Sequence, residues 1–142
     1  MRVRHLVALI ASTLALSVGF AAPAGAHTGA PPGDAVCTGD DNWVRSCFVQ
    51  DTDNFWVRDT ETDGRSAVVF WSTRTGQSGS CRNAHGAGTW HMCAYDFPEF
   101  TSGGSPNRVY WDHYTYDAQT NDYNLVSSGY STCTAKGCPA II

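Results

Sequence analysis

Leucine and isoleucine are scarce once the first 26 residues are set aside. The only leucine beyond that point is Leu125, and the only isoleucines are Ile141 and Ile142. Good helix formers are few, so the composition disfavours a helical bundle or a coiled coil. Basic residues are also few, with 9 Lys and Arg against 13 Asp and Glu. No segment after the first 26 residues is apolar enough to cross a bilayer. We therefore expect neither a nucleic-acid partner nor a membrane partner.

The first 26 residues have the pattern of an export signal. They contain a basic start at Arg2 and Arg4, an apolar run from Leu6 to Val18, and a small-residue cleavage motif that ends at Ala26. The apolar run is shorter than the ~20 residues that a spanning helix needs. Residues 1–26 are predicted to be a signal peptide, so we expect the protein to be secreted and extracellular.

All six cysteines follow the predicted cleavage site, which indicates disulfides formed in an oxidising compartment. We predict pairing between neighbours in the sequence, because each neighbouring pair brackets a short segment that contains glycine or a turn signal. The predicted bridges are Cys37–Cys47, Cys81–Cys93 and Cys133–Cys138. Bridges that close loops this short each remove roughly 3 kcal/mol of unfolded-chain entropy.

The residues left to build a core are valine and aromatics, which favour strands. Runs of such residues, bounded by turn signals, predict six strands. They are Asn42–Gln50, Asn54–Asp59, Ser66–Thr73, Thr89–Tyr95, Arg108–Asp117 and a weaker Tyr123–Ser128. Short strands at this spacing predict an all-β fold, a small disulfide-stabilised antiparallel β-sandwich over residues 37–142.

Glycine and proline mark the segments that connect the predicted strands. Asp63-Gly64 lies between two strand patterns and predicts a β-hairpin, while Thr75–Gly88 and Phe97–Asn107 are predicted to be long loops. The segment His27–Ala35 contains two prolines, two glycines and no large apolar residue. Residues 27–36 are therefore predicted to be a flexible N-terminal arm.

Two segments carry a resemblance to a known group of proteins. They are Val57-Arg-Asp-Thr-Glu-Thr-Asp-Gly64 and the stretch from Cys81-Arg-Asn-Ala-His-Gly-Ala-Gly-Thr89 to Cys93. Both resemble segments of small, uncharacterised secreted actinobacterial proteins. The resemblance implies a disulfide-linked β-sandwich and export, and it implies no reaction.

Two residue groups have metal-binding spacing, and each has a simpler interpretation. Asp59, Glu61 and Asp63 mimic the start of a calcium loop, but the closing twelfth position is Phe70 and the Asp-Gly pair already explains a turn. A second group offers two thiolates and two imidazoles for zinc: Cys81, His85, His91 and Cys93. A disulfide between its two cysteines would leave the histidines as surface residues.

Copper is a third alternative. Cleavage after Ala26 would make His27 the N-terminus, and a free amine with an imidazole is half of the copper site of secreted polysaccharide monooxygenases. His85, His91 or His113 would have to complete it. The Gly- and Pro-rich segment that follows His27 argues against an ordered site, so we expect no metal and no cofactor.

Catalysis without a metal has one short motif in its favour. Asp112-His113-Tyr114 resembles the segment that bears the catalytic histidine of small secreted microbial ribonucleases, with Glu99 and Arg108 as base and phosphate clamp. The match is three residues long, and the acidic charge opposes an RNA substrate. No Gly-x-Ser-x-Gly motif occurs, and every cysteine is predicted to be paired. We therefore predict no catalytic residues, with a small secreted hydrolase or a copper-dependent oxidase as weaker alternatives.

Binding is better supported, because aromatic residues crowd the last third of the chain. Strand alternation places four residues on one face: Tyr110, Asp112, Tyr114 and Tyr116. If Val109, Trp111 and His113 face inward, those four form an exposed tyrosine surface with a carboxylate. Alternation alone does not say which face is buried.

Two binding functions follow from that surface. The first is docking on another extracellular protein, as an adaptor or inhibitor would, with the N-terminal arm ordering on contact. The alternative is a carbohydrate-binding module that holds an extracellular glycan on its tyrosine face.

Overall fold

The structure is a computed structural model, and it describes residues 29–39 and 43–136. Within these ranges the chain forms eight strands and no helix. They are β1 (Val36–Thr38), β2 (Val44–Val49), β3 (Asn54–Asp59), β4 (Ser66–Thr73), β5 (Ser78–Asn83), β6 (Trp90–Cys93), β7 (Arg108–Asp117) and β8 (Asp122–Cys133). The described part of the chain has no helix that is long and apolar enough to cross a membrane. The predicted signal peptide lies outside the described residues.

The strands form two antiparallel sheets. Sheet A has the strand order β1-β2-β3-β6, and sheet B has the order β5-β4-β7-β8. Buried side chains from both sheets join in one hydrophobic cluster, so the predicted all-β antiparallel sandwich is confirmed.

Aromatic rings fill the space between the sheets. Phe48 and Phe55 of sheet A contact Trp111 of sheet B, with centroid distances of 6.4 Å and 5.6 Å. Phe97 contacts Trp71 of β4 at 4.8 Å. Because this part of the chain has one leucine, Leu125, and no isoleucine, the core is built from these rings together with valines such as Val57 and Val109.

Two of the predicted disulfides are present. Cys37–Cys47 joins β1 to β2 at directly paired positions within sheet A. Cys81–Cys93 joins β5 of sheet B to β6 of sheet A, and therefore holds the two sheets together. Cys133 is also disulfide-bonded, while its predicted partner Cys138 lies outside the described residues. These bridges fit an oxidising, extracellular environment.

The predicted β-hairpin at Asp63-Gly64 is wrong. β3 pairs with β2 and β6, whereas β4 pairs with β5 and β7. The connection from β3 to β4 therefore passes from sheet A to sheet B. A two-residue turn would have kept the strands adjacent, but residues 60–65 all lie outside strands and are long enough to bridge the roughly 10 Å between packed sheets.

The prediction of a loop over Thr75–Gly88 is also wrong, because β5 lies inside it. β5 contains no aromatic or β-branched residue, so its sequence has no strand signal. Its partner β4 explains the conformation. A Cβ on Gly79 would lie 2.6 Å from Cζ2 of Trp71, so only glycine lets this segment pass the indole and pair with β4.

Other strand boundaries differ by a few residues. β1 was not predicted, and Val36, the last residue of the predicted arm, is its first residue. β8 continues to Cys133, well past the predicted end at Ser128. Register shifts between Trp111 and Tyr114 of β7 accompany this long strand, and such bulges interrupt the alternation that sequence patterns depend on.

Candidate functional site

Strand β7 separates an inner and an outer row of side chains. The inner row, at most 6% exposed, consists of Val109, Trp111, His113 and Thr115. The outer row contains Tyr110, 39% exposed, and the half-buried Asp112, Tyr114 and Tyr116. Trp111 therefore faces the core, and the four residues of the predicted binding site share the opposite side of the sheet.

The outer row is one part of a larger surface on sheet B, which we call the aromatic face. It consists of Phe70, Tyr110, Tyr114, Tyr116, Tyr123 and Leu125, which pairing across β4, β7 and β8 brings together. Besides Tyr110, three of these have large exposed fractions: Phe70 at 37%, Tyr123 at 46% and Leu125 at 57%. The sequence did not reveal these three as site residues, because their proximity depends on strand pairing.

The rings of the aromatic face pack on one another at steep angles. Phe70 lies 5.1 Å from Tyr114 at 88° and 5.2 Å from Tyr123 at 66°. Tyr116 and Tyr123 are 4.6 Å apart at 39°. Edge-to-face packing of this kind stabilises the cluster. It also means that the rings do not lie in one plane.

A cation lies at one end of the aromatic face. The guanidinium of Arg82 is 4.2 Å from the ring centroid of Tyr116, and Arg82 also donates a hydrogen bond to Ser66 Oγ at 3.0 Å. Stacking of an arginine over an aromatic ring is favourable. The exposed Arg82 is thereby held in place beside the apolar surface.

A recess of about 270 Å³ opens beside Tyr110 on the same side of the sheet. Phe70, Asp112 and Gly129 are among the residues that line it. Asp112 Oδ1 accepts a hydrogen bond from the Gly129 amide at 2.9 Å. The Asp112 carboxylate therefore fixes the bulged part of β8 and also places a negative charge in the recess.

A larger cavity of about 700 Å³, which we call the β8 cavity, lies between β8 and the start of β2. Its wall includes Trp43, Arg65, Thr115, Asn124, Ser127 and Tyr130. Trp43 is 46% exposed and has a backbone φ of 75°, a left-handed conformation that is rare for a bulky residue. Its carbonyl accepts a hydrogen bond from the Thr60 amide at 3.2 Å. This cavity could not be predicted from the sequence, because its walls come from segments that are far apart in the chain.

The buried His113 lies behind the wall of the β8 cavity. Its Nε2 is 2.7 Å from Ser46 Oγ of sheet A, and its Nδ1 is 3.0 Å from Ser127 Oγ. A Cβ on Gly39, whose φ is 83°, would lie 2.8 Å from Cε1 of the imidazole, so glycine is required there. His113 thus links the two sheets and fixes the position of the Ser127 hydroxyl.

The ribonuclease-like alternative requires a histidine that a substrate on the outer side of β7 can reach. Asp112 lies in the outer row and His113 in the inner row, so the two side chains leave β7 in opposite directions. Arg108 donates a hydrogen bond to Ser131 Oγ at 3.3 Å. Because His113 is completely buried, a substrate on the outer side of β7 would not reach it.

The carboxylates of the calcium-like segment form local turns instead. Asp59 Oδ1 accepts a hydrogen bond from the Glu61 amide at 3.1 Å, and Asp63 Oδ1 accepts one from the Arg65 amide at 2.9 Å. Burial raises the pKa of the Asp59 carboxyl, and its hydrogen bond from Glu61 opposes that shift. Both carboxylates therefore have structural roles in the crossing between the sheets.

The zinc-like residues do lie close together. Within the described ranges, the ligand atoms of Cys81, His91 and Cys93 are within 4.8 Å of one another, and the His85 ring is 5.1 Å from that of His91. The two sulfurs form the disulfide between the sheets, so neither is a thiolate. His27, the first residue of the copper alternative, lies outside the described residues.

Two surfaces of sheet B therefore remain as candidate sites, the aromatic face and the β8 cavity. Comparisons with known protein families, with curated proteins and with solved structures find no match to this chain.

Proposed function

We propose that the chain is a secreted, non-catalytic binding protein that docks on another extracellular protein through its aromatic face. The observation that carries this proposal is the cluster of exposed Phe70, Tyr110, Tyr123 and Leu125 on one side of sheet B. Contiguous apolar surface of this kind is uncommon on a monomeric protein and is typical of an interaction site. Tyrosine, phenylalanine and arginine are also the residues enriched in protein interfaces.

The recess beside Tyr110 supports docking of a protein side chain. Interfaces commonly hold one anchor residue in a pocket that neighbouring contacts shield from water. The volume of about 270 Å³ fits a single side chain, and the Asp112 carboxylate lines its wall. A partner residue that donates hydrogen bonds, such as arginine or lysine, would complement this charge.

Ring geometry favours a protein over a glycan on this face. A sugar stacks on the flat face of an aromatic ring, whereas Phe70 meets Tyr114 at 88° and Tyr123 at 66°. The rings therefore present a mixture of edges and faces, which suits the irregular surface of a protein. Carbohydrate binding on the tyrosine face is the weaker alternative.

The predicted N-terminal arm is a separate region in this proposal. A Cβ on Gly29 would lie 3.4 Å from the indole of Trp56, a residue of β3 in sheet A. The aromatic face is on sheet B, so Gly29 of the arm lies beside the other sheet. We therefore assign docking to the aromatic face, and ordering of the arm on contact remains a secondary prediction.

Secretion is part of the proposal because it places the protein beside its partner. It is supported by the predicted signal peptide and by disulfides that fit an oxidising environment.

The proposal is tested by cross-linking and affinity capture from culture supernatant, with wild type compared with Tyr110→Ala and Phe70→Ala. We expect wild type to retain one partner at a fixed stoichiometry and each variant to weaken it by at least about 2 kcal/mol. Phe100→Ala is the matched control, because Phe100 is 54% exposed but lies in the loop after β6. Equal retention by all four proteins would refute the assignment to the aromatic face.

A further inference from the structure

The β8 cavity is lined by both apolar and polar side chains, and the proposed docking function does not explain this combination. Its apolar wall includes Trp43 and Tyr130, and its polar wall includes Thr115, Asn124 and Ser127. Cavities of roughly 300–1,000 Å³ with aromatic walls and a few placed polar groups are the usual sites for small ligands. At about 700 Å³ the β8 cavity is within that range.

Trp43 is held at the cavity in a conformation that needs an explanation. A large side chain at a φ of 75° is strained by order of 1 kcal/mol or more, and such strain concentrates at ligand-binding positions. Almost half of the Trp43 side chain is exposed, so burial in the core does not offset the strain. An indole face at the edge of a cavity is a surface on which the C–H groups of a sugar ring stack.

The polar wall matches the hydroxyl groups of a sugar. The amide of Asn124 donates and accepts hydrogen bonds, as do the hydroxyls of Thr115 and Ser127. The Ser127 hydroxyl has a fixed position, because His113 Nδ1 lies 3.0 Å behind it and His113 Nε2 is 2.7 Å from Ser46 Oγ. A preorganised hydroxyl loses less freedom on binding than a rotating one.

The charge in the cavity narrows the class of sugar. Arg65 lines the cavity and gives it a positively charged group. A guanidinium forms its strongest hydrogen bonds with a carboxylate. We propose that the β8 cavity binds an acidic saccharide, with Trp43 against the pyranose ring and Arg65 against the uronate carboxylate.

The two sites share Leu125, but the side chains on which each proposal depends differ, so the two proposals fail separately. Trp43, Arg65 and Ser127 do not belong to the aromatic face, and Tyr110 and Phe70 do not line the β8 cavity. Loss of docking in Tyr110→Ala would therefore leave saccharide binding unchanged.

The test follows the indole N–H resonance of Trp43 in ¹⁵N-labelled protein, assigned with Trp43→Tyr. Trimers of galacturonate, glucuronate and mannuronate are the probes, neutral galactotriose is the matched sugar, and 1-naphthoate is an apolar carboxylate without hydroxyls. We expect at least one uronate trimer to shift the resonance at millimolar concentration. We also expect it to bind at least about tenfold more tightly than galactotriose and 1-naphthoate.

Two variants, titrated through the backbone amide resonance of Ser127 in the cavity wall, separate the ring contact from the charge contact. Trp43→Asn should weaken the uronate trimer at least about tenfold, because asparagine accepts the left-handed backbone but offers no ring. Arg65→Gln should remove the preference for the uronate over galactotriose and leave galactotriose binding unchanged. Tyr110→Ala is the control and should bind as wild type does.

Three results would overturn the proposal. They are the absence of a shift with all three uronate trimers, tighter binding of 1-naphthoate than of any uronate, and full binding by the folded Trp43→Asn protein.

Discussion

The inner and outer rows of β7 contain similar side chains in very different surroundings. In the inner row, Trp111 contacts Phe48 and Phe55 from the opposite sheet and donates a hydrogen bond from Nε1 to Thr38 Oγ1 at 3.0 Å. In the outer row, Tyr114 contacts Phe70 of its own sheet and stays partly exposed. The difference shows that residue type alone does not separate the core from the exposed surface of the sheet. The presence of a facing sheet does.

The largest expected effect is on the inner row. Trp111→Ala removes the ring that joins both sheets and leaves a cavity, so it should lower the free energy of unfolding by about 3–5 kcal/mol. Chemical denaturation of the disulfide-intact protein measures this change. A loss below about 1 kcal/mol would mean that the inner row does not hold the sandwich together.

Substitutions in the outer row should lower the free energy of unfolding by less than Trp111→Ala does, and the loss should depend on how exposed the replaced residue is. Tyr114→Ala removes an edge-to-face contact with Phe70 and should lower the unfolding free energy by about 1 kcal/mol. The more exposed Tyr110→Ala should change it by less than about 0.5 kcal/mol. Parallel thermal melts compare the two, and a larger loss for Tyr110 than for Tyr114 would contradict the described packing.

The carboxyl groups of Asp53 and Asp59 should make the free energy of unfolding depend on pH, and this is the smallest of the expected effects. Burial raises the folded-state pKa of Asp59 and of Asp53, where the charges of Asp96 and Glu99 add to the shift. The folded protein therefore holds these protons more tightly than the unfolded chain does. Stability should increase as pH falls through the window between the ordinary Asp value near 3.8 and the raised pKa, and it should be lost as pH rises through that window.

Asp59→Asn should reduce the gain in the free energy of unfolding as pH falls. Chemical denaturation at a series of pH values between about 4 and 6 measures this gain. Asparagine keeps an oxygen that accepts the Glu61 amide bond. The double variant with Asp53→Asn should flatten the series further, since asparagine also tolerates the φ of 53° at position 53. An unchanged slope in both variants would show that other groups set the pH dependence.

The sequence predicted features that depend on local pattern and failed where distant partners decide. Alternation placed Tyr110 and Trp111 on opposite sides of one strand, and the burial of Trp111 settled which side is the core. Cysteine spacing predicted two bridges correctly because both close short segments. The strand over Ser78–Asn83 was missed, since its conformation comes from pairing with β4 and from the fit of Gly79 against Trp71.

The candidate sites show the same limit. The four predicted residues of β7 share one side of the sheet, as alternation requires. Phe70 and Tyr123 join them only through the strand order of sheet B. The β8 cavity needs the approach of Trp43 from sheet A, and a buried histidine behind it, so no short motif could have pointed to it.

The irregular pairing of β8 has a consequence for association between copies of the protein. β8 is a twelve-residue edge strand without proline or lysine, and it exposes Tyr123 and Leu125. A straight edge of this kind would be a template for strand addition by other copies and for aggregation. The register shifts opposite His113 break the strand into two short regular parts, and bulges of this type discourage edge-to-edge pairing. The distortion that shapes the cavity wall therefore also makes the longest strand a poorer template for polymerisation.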